Sequence, residues 1–166
     1  MIPILSIVGK SDTGKTTLLE KIVRELRSRG WRVATVKHDA HSFDIDHEGK
    51  DSWRHKQAGA CMTIISSPSK IAVVADTDHD HSLDEIHDLF VRDVDIVITE
   101  GYKRERHPKI EVFRSELRRE LLCTDDENLI AIAGDYSEPP NGVPVFDLDD
   151  ARQLCNFIEE RFLGRH

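Results

Sequence analysis

The sequence is short of cysteine and has no long apolar run, and each shortage narrows what the chain can be. Its three cysteines, Cys61, Cys123 and Cys155, are odd in number, far apart and form no C-x-x-C pair. That pattern points away from a disulfide framework and toward reduced thiols in a cytoplasmic protein. No window approaches the run of about eighteen apolar residues that a membrane helix needs. The opening "MIPILSIVGKSD" has no basic n-region and no cleavage site, so no signal peptide is expected. Positive charge is also scarce: 23 Lys and Arg stand against 31 Asp and Glu, for a formal net charge of −8. A balance of that sign argues against nucleic acid or an anionic membrane as the main partner. Internal repeats and low-complexity segments are absent from the sequence.

What is present is an ordinary globular composition, 39% hydrophobic and 33% charged over 166 residues. A chain of that length is expected to form a single domain, 1–166, and to bury about 70% of its unfolded surface. "ILSIV" (4–8) reads as a buried strand, and "KTTLLEKIVRELRSRG" follows with Leu19, Ile22, Val23 and Leu26 at helical spacing. "RVATVK" (32–37) is the next strand, which completes a unit the size of a βαβ motif. A short helix is expected over 50–58, strands over 61–66 and 70–75 about a Ser-Ser-Pro-Ser turn, and a helix over 82–91. Strands at 95–99, 109–113 and 129–133 follow. A turn-rich loop then leads to a last helix near 149–163, with Asp149 or Asp150 as its cap. Strands alternating with helices give an α/β fold, a mostly parallel sheet flanked by helices. Ligands of such sheets bind beyond the carboxyl ends of the strands.

Residues 9–16, "GKSDTGKT", match G-x-x-x-x-G-K-[ST] at every fixed position, with a strand before and a helix after. Gly9 and Gly14 allow backbone conformations that turn N–H groups onto phosphate oxygens, and the helix adds its positive N-terminal end. Lys15 would reach the outer phosphates and the Thr16 hydroxyl would hold Mg²⁺. Lys10, Ser11, Asp12 and Thr13 complete the loop, and Thr17 follows it on the helix. A carboxylate facing phosphates would repel them, so Asp12 is expected to face solvent.

"DIVITEGYK" (95–103) looks like the second nucleotide motif, an apolar strand ending in an acid. Glu100 there would bind Mg²⁺ through water or orient a water on the γ-phosphate. "KHDAHSFDIDHEGKDSWRHKQAGA" (37–60) holds His38, His41, His47 and His55 with Asp39, Asp44, Asp46 and Asp51. It reads as a switch loop that senses the γ-phosphate, as a transition-metal site, or as a solvated loop. "DTDHDHSLDEIH" (76–87) adds His79, His81 and His87, for which a solvated loop competes with a metal site. "YKRERHPK" (102–109), with Lys103, Arg104, Arg106, His107 and Lys109, is a seat for an anion or acidic partner, or a solvated charge run.

Taken together these stretches resemble the molybdopterin-guanine dinucleotide biosynthesis adaptor proteins, the MobB family. "VKHDAHSFDIDHEGKDSWRHKQAGA" is similar to that family's second block, "VITEGYKRERHPKIEVFR" to its third and "AIAGD" (131–135) to its later strand ending in an acid. The resemblance spans about residues 4 to 150. It implies a dimeric P-loop NTPase fold that binds GTP with Mg²⁺, hydrolyses it slowly and assists the molybdenum cofactor guanylyltransferase. It also makes molybdopterin or its guanine dinucleotide a candidate ligand. Carried over by residue, it implies that Gly9, Gly14, Lys15 and Thr16 hold phosphates and Mg²⁺, with Glu100 in the second motif. It places Asp39 and Asp46 in the switch-like block, as candidate metal ligands or water-positioning groups. The N-K-x-D guanine signature is absent from the sequence. Asp135 is the candidate guanine reader, because a carboxylate accepts from N1 and N2 of guanine and meets no such pair on adenine. Lys10 stands where a dimerising class of phosphate-loop proteins keeps a lysine that reaches the partner's nucleotide.

No arginine finger is obvious in cis, which leaves Arg54 and Arg104 as candidates and makes slow turnover the expectation. Two other functions stay open: an ATP-dependent small-molecule kinase, and a metallochaperone GTPase using the histidines.

Overall fold

The apolar run before the phosphate loop forms the fully buried middle of a parallel sheet in this computed structural model, which describes residues 2–39, 43 and 45–164. His41 and Asp44 lie outside those residues. The elements in chain order are β1 (Ile4–Val8), α1 (Lys15–Ser28), β2 (Val33–Lys37), α2 (Asp51–Gln57), β3 (Met62–Ser67) and β4 (Lys70–Ala75). There follow α3 (Leu83–Phe90), β5 (Ile96–Glu100), β6 (Lys109–Phe113), β7 (Leu129–Gly134), β8 (Val145–Phe146) and α4 (Ala151–Phe162). The chain divides into two compact units, Met1–His38 with Leu83–His166, and Asp39–Ser82.

The larger unit carries a six-stranded sheet in the order β2-β5-β1-β6-β7-β8, and every pairing is parallel. β1, β5 and β7 are covered on both faces and read as near-continuous apolar runs, whereas β2 at the edge is partly exposed. Leu5, Ile7, Ile96 and Ile98 pack with Leu18, Ile22 and Leu26 of α1 and Leu154, Cys155 and Ile158 of α4. Ile4 and Val97 turn the other way, against Leu83 of α3 and Val91. The buried stripe of α1 is Leu18, Ile22 and Leu26; Ile22 and Leu26 are as the sequence suggests, Leu18 is added, and Leu19 and Val23 lie at its margin. Each of those three leucine or isoleucine side chains contributes about 1.5–3 kcal/mol by leaving water. Arg29 joins the two helices at their far ends through Glu25, Asn156 and Glu159. Asp150, not Asp149, caps α4 by accepting the Gln153 N–H at 3.0 Å.

The smaller unit pairs the expected strands as an antiparallel hairpin, β3 against β4, in register from Met62↔Ala75 to Ser67↔Lys70. Met62 and Ile64 share one face with Ile71, Val73 and Ala75, and the four large side chains on it are 43–72% exposed. Among the described residues no helix is long and apolar enough to cross a membrane.

The structure corrects one reading of the basic run. Lys109 is no surface cation; as the first residue of β6, between β1 and β7, it is 1% exposed. Its ammonium donates to the Asp126 carboxylate at 2.7 Å and to the Glu105 carbonyl at 2.5 Å. Two residues on, the buried Glu111 accepts the N–H groups of Leu122 at 2.6 Å and Cys123 at 2.9 Å. Burial holds the Glu111 carboxyl above its ordinary range, against the pull of those two bonds. Removing one partner of a buried ion pair strands the other charge. Asp126→Ala should therefore cost about 3 kcal/mol in a urea unfolding curve, while Lys109→Met, which leaves the Asp126 carboxylate partly exposed and still bonded to Asn128, should cost clearly less.

Candidate functional site

The strand order sets the site. β1 lies between β5 and β6, and the chain leaving β1 through α1 returns to β2 on the far side of β5. The carboxyl end of β1 is thus the switch point of the sheet, the place where such folds hold ligands. In register, Ile7 of β1 faces Glu100 on one side and Val8 faces Glu111 on the other.

The phosphate loop fills this point. Gly9 has φ +146°, and a Cβ there would lie 2.7 Å from the Val112 carbonyl oxygen, so only glycine allows the loop to leave β1 so close to β6. Gly14, at φ 95°, opens α1 with no side-chain cap, and no acid occupies the first turn. The first N–H groups of the helix are thereby left for an anion. The Thr13 hydroxyl at 3.0 Å and the Lys15 ammonium at 2.7 Å both donate to the Lys10 carbonyl, which closes the loop on itself. Burial pulls the Lys15 pKa below its ordinary value, while Glu100 and Asp12 oppose the shift. Asp12 is exposed, as expected, with Ser11 and Thr17. Lys10 is half-buried.

Glu100 meets the loop from β5. The Thr16 hydroxyl lies 3.0 Å from each Glu100 carboxylate oxygen, although the two residues are 84 apart in the chain. A hydroxyl and a carboxylate are hard oxygen donors of the kind Mg²⁺ takes. Beside them His38 donates its backbone N–H to the Glu100 carbonyl at 3.1 Å, and its ring rests against Tyr102 at 4.8 Å between centroids. Gly101, at φ 101°, leaves room for it, since a Cβ there would come within 3.3 Å of the His38 Cβ.

Two arginines that sequence reading missed touch the loop from outside. Arg114 Nε donates to the Thr13 carbonyl at 3.0 Å, and Arg119 Nη1 donates to the Ser11 carbonyl at 2.8 Å. Arg114 immediately follows β6, and the signal was the strand ending "EVFR" next to a phosphate-loop strand. Between the two lies a single 3-10 turn, Ser115–Leu117. Asp135, just past β7, accepts from the Ser115 N–H at 2.8 Å and from the Ser115 hydroxyl. These bonds hold the Asp135 carboxyl below its usual range. Of the earlier arginine candidates, Arg104 is exposed on the edge of an open polar groove with Glu105 and Glu120. Arg54 is on α2 in the smaller unit, 3.8 Å from Asp51.

Asp39 and Asp46 also belong to the smaller unit; Asp39 is exposed and Asp46 half-buried, with its carboxylate accepting the His47 N–H at 2.8 Å. In the same unit the His79 and His81 rings meet edge-on at 4.3 Å, and the Asp78 carboxylate lies 2.6 Å from His79 Nδ1. His87 lies instead on α3, where its Nδ1 is 3.1 Å from the Asp88 carboxylate.

A parallel α/β sheet with this loop between β1 and α1 is the P-loop NTPase fold. Comparison with known proteins narrows the class. Residues 4–135 match the family model described as molybdopterin guanine dinucleotide synthesis protein B, MobB, and the chain belongs to that family. It is 40% identical over 159 residues to the molybdopterin-guanine dinucleotide biosynthesis adapter protein of Haemophilus influenzae, covering 95% of this chain and 88% of that one. It is 38% identical to the Escherichia coli protein of the same name, with 96% and 93% covered. A crystal structure of molybdopterin-guanine biosynthesis protein B superposes with a TM-score of 0.71 at 31% identity, over 95% of this chain and 99% of that one.

The contact of Gly9 with β6 yields a direct test. Gly9→Ala should leave the far-ultraviolet circular dichroism of the folded chain in place while abolishing binding of inorganic pyrophosphate, measured by calorimetry, because a Cβ at 2.7 Å displaces the loop.

Proposed function

We propose that this protein binds GTP with Mg²⁺ on the phosphate loop, hydrolyses it slowly and serves as an adaptor in the synthesis of molybdopterin guanine dinucleotide. The observation that carries the nucleotide reading is the pairing of Thr16 with Glu100 beside the Lys15 ammonium. Family membership and the names of its relatives support the pathway and the preference for guanine over adenine.

In this reading the N–H groups of residues 10–16 and the start of α1 receive the phosphate oxygens, and Lys15 leaves the Lys10 carbonyl for the outer phosphates. The Thr16 hydroxyl and the Glu100 carboxylate would hold Mg²⁺, which supplies neutralisation of the charge on those phosphates. Asp39 and Asp46 are proposed to act in the switch-like block, ligating or positioning water. Slow turnover agrees with the use of Arg114 and Arg119 on loop carbonyls. The adaptor's partner would be the guanylyltransferase, and the site of action the cytoplasm.

The hairpin supports a homodimer. Met62, Ile64, Ile71 and Val73 form one apolar face of β3 and β4, and a symmetric interface joins a surface to its own copy.

Calorimetric titration with GTP and ATP, each with Mg²⁺, should show tighter GTP binding that Lys15→Ala abolishes. Tighter ATP binding would overturn the adaptor reading in favour of a kinase. Sedimentation of Ile64→Lys combined with Ile71→Lys should give a monomer where the parent chain gives a dimer; a dimer from the variant would place the interface elsewhere.

A further inference from the structure

The outer side of the phosphate loop is held by a segment that none of the nucleotide motifs includes. In a phosphate loop the N–H groups turn inward, so the peptide oxygens turn outward. Here two of those oxygens, on Ser11 and Thr13, each receive a guanidinium, from Arg119 and Arg114. A charged donor on a carbonyl makes a stronger bond than a neutral one. It also polarises the peptide and deepens the positive potential on the N–H side. Both arginines belong to residues 114–119, and this segment is fixed in turn at Ser115, where the Asp135 carboxylate takes the backbone N–H and the hydroxyl.

We propose that residues 114–119 form a clasp that shapes the phosphate cradle, with Arg114 and Arg119 as positioning residues and Asp135 as its latch. The ligand chemistry it serves is a di- or triphosphate, whatever base is attached. This rests on the nucleotide reading above. It changes the expectation for Asp135, whose carboxylate oxygens are both engaged with Ser115. The clasp acts through backbone geometry, so its loss weakens every phosphate ligand by the same factor. A guanine reader would instead change the ratio between GTP and ATP.

The test measures the affinity of the full chain for GTP, ATP and inorganic pyrophosphate, each with Mg²⁺. Arg114→Gln and Arg119→Gln should each weaken all three by about tenfold, the effect of losing one charge-assisted bond. Arg114→Lys should recover part of that loss. Asp135→Asn and the milder Ser115→Ala should weaken GTP and ATP equally. A readout that general loss of stability would not produce is weakened affinity for all three ligands in variants that keep the thermal midpoint of the ligand-free parent. A GTP-to-ATP ratio that moves in Asp135→Asn overturns the latch and restores base reading. Unchanged affinities in both arginine variants overturn the clasp while wild-type binding stands. If the wild-type chain binds none of the three ligands, the nucleotide reading itself fails and the clasp loses its ligand.

Discussion

β1 is hydrogen-bonded on both sides, to β5 and to β6, and all three strands run the same way. That pairing is the constraint on which the site depends. Parallel strands end at a common edge, so whatever follows each of them meets there. After β1 comes the phosphate loop, at the end of β5 stands Glu100, and after β6 comes Arg114. The inner and outer sides of the loop are therefore met by residues more than eighty positions away. Gly9 shows how tight the arrangement is, because β6 leaves no space even for a methyl group.

The segment between β6 and β7 is secured by polar contacts as well as by the burial of Leu121 and Cys123. Asp135 holds Ser115, Arg119 holds Ser11, Glu111 holds the N–H groups at 122 and 123, and Lys109 holds Asp126. Two of these anchors are charged groups buried in β6, where desolvation is costly and a partner is obligatory. Such contacts are directional. They fix where a loop lies in a way that apolar burial, which is not directional, does not.

How much of this the sequence disclosed follows from how local each signal is. The phosphate loop, the strands around it and the acid at the end of β5 are contiguous patterns, and each stands where it was read. So does the hairpin at 62–75 about its Ser-Pro turn. On α1, Ile22 and Leu26 are buried as read, and Leu18 rather than Leu19 completes the stripe, because both fit the same period and only the sheet decides between them. Lys109 was read within a basic run; its burial comes from being the first residue of a strand with neighbours on both sides. Arg114 is marked only by standing at the end of β6, and Arg119 carries no local mark. They are 101 and 108 residues from the carbonyls they bond, and only the strand order brings them together.

The three cysteines differ sharply in accessibility. Cys123 and Cys155 are buried, and burial pushes each thiol up to about 12, so neither offers a thiolate near neutral pH. Cys61 is exposed and sits directly before β3. The native protein therefore presents one addressable thiol, at the base of the hairpin. A maleimide dye or spin label would attach there without any change to the sequence, so the smaller unit can be followed spectroscopically in the unaltered chain.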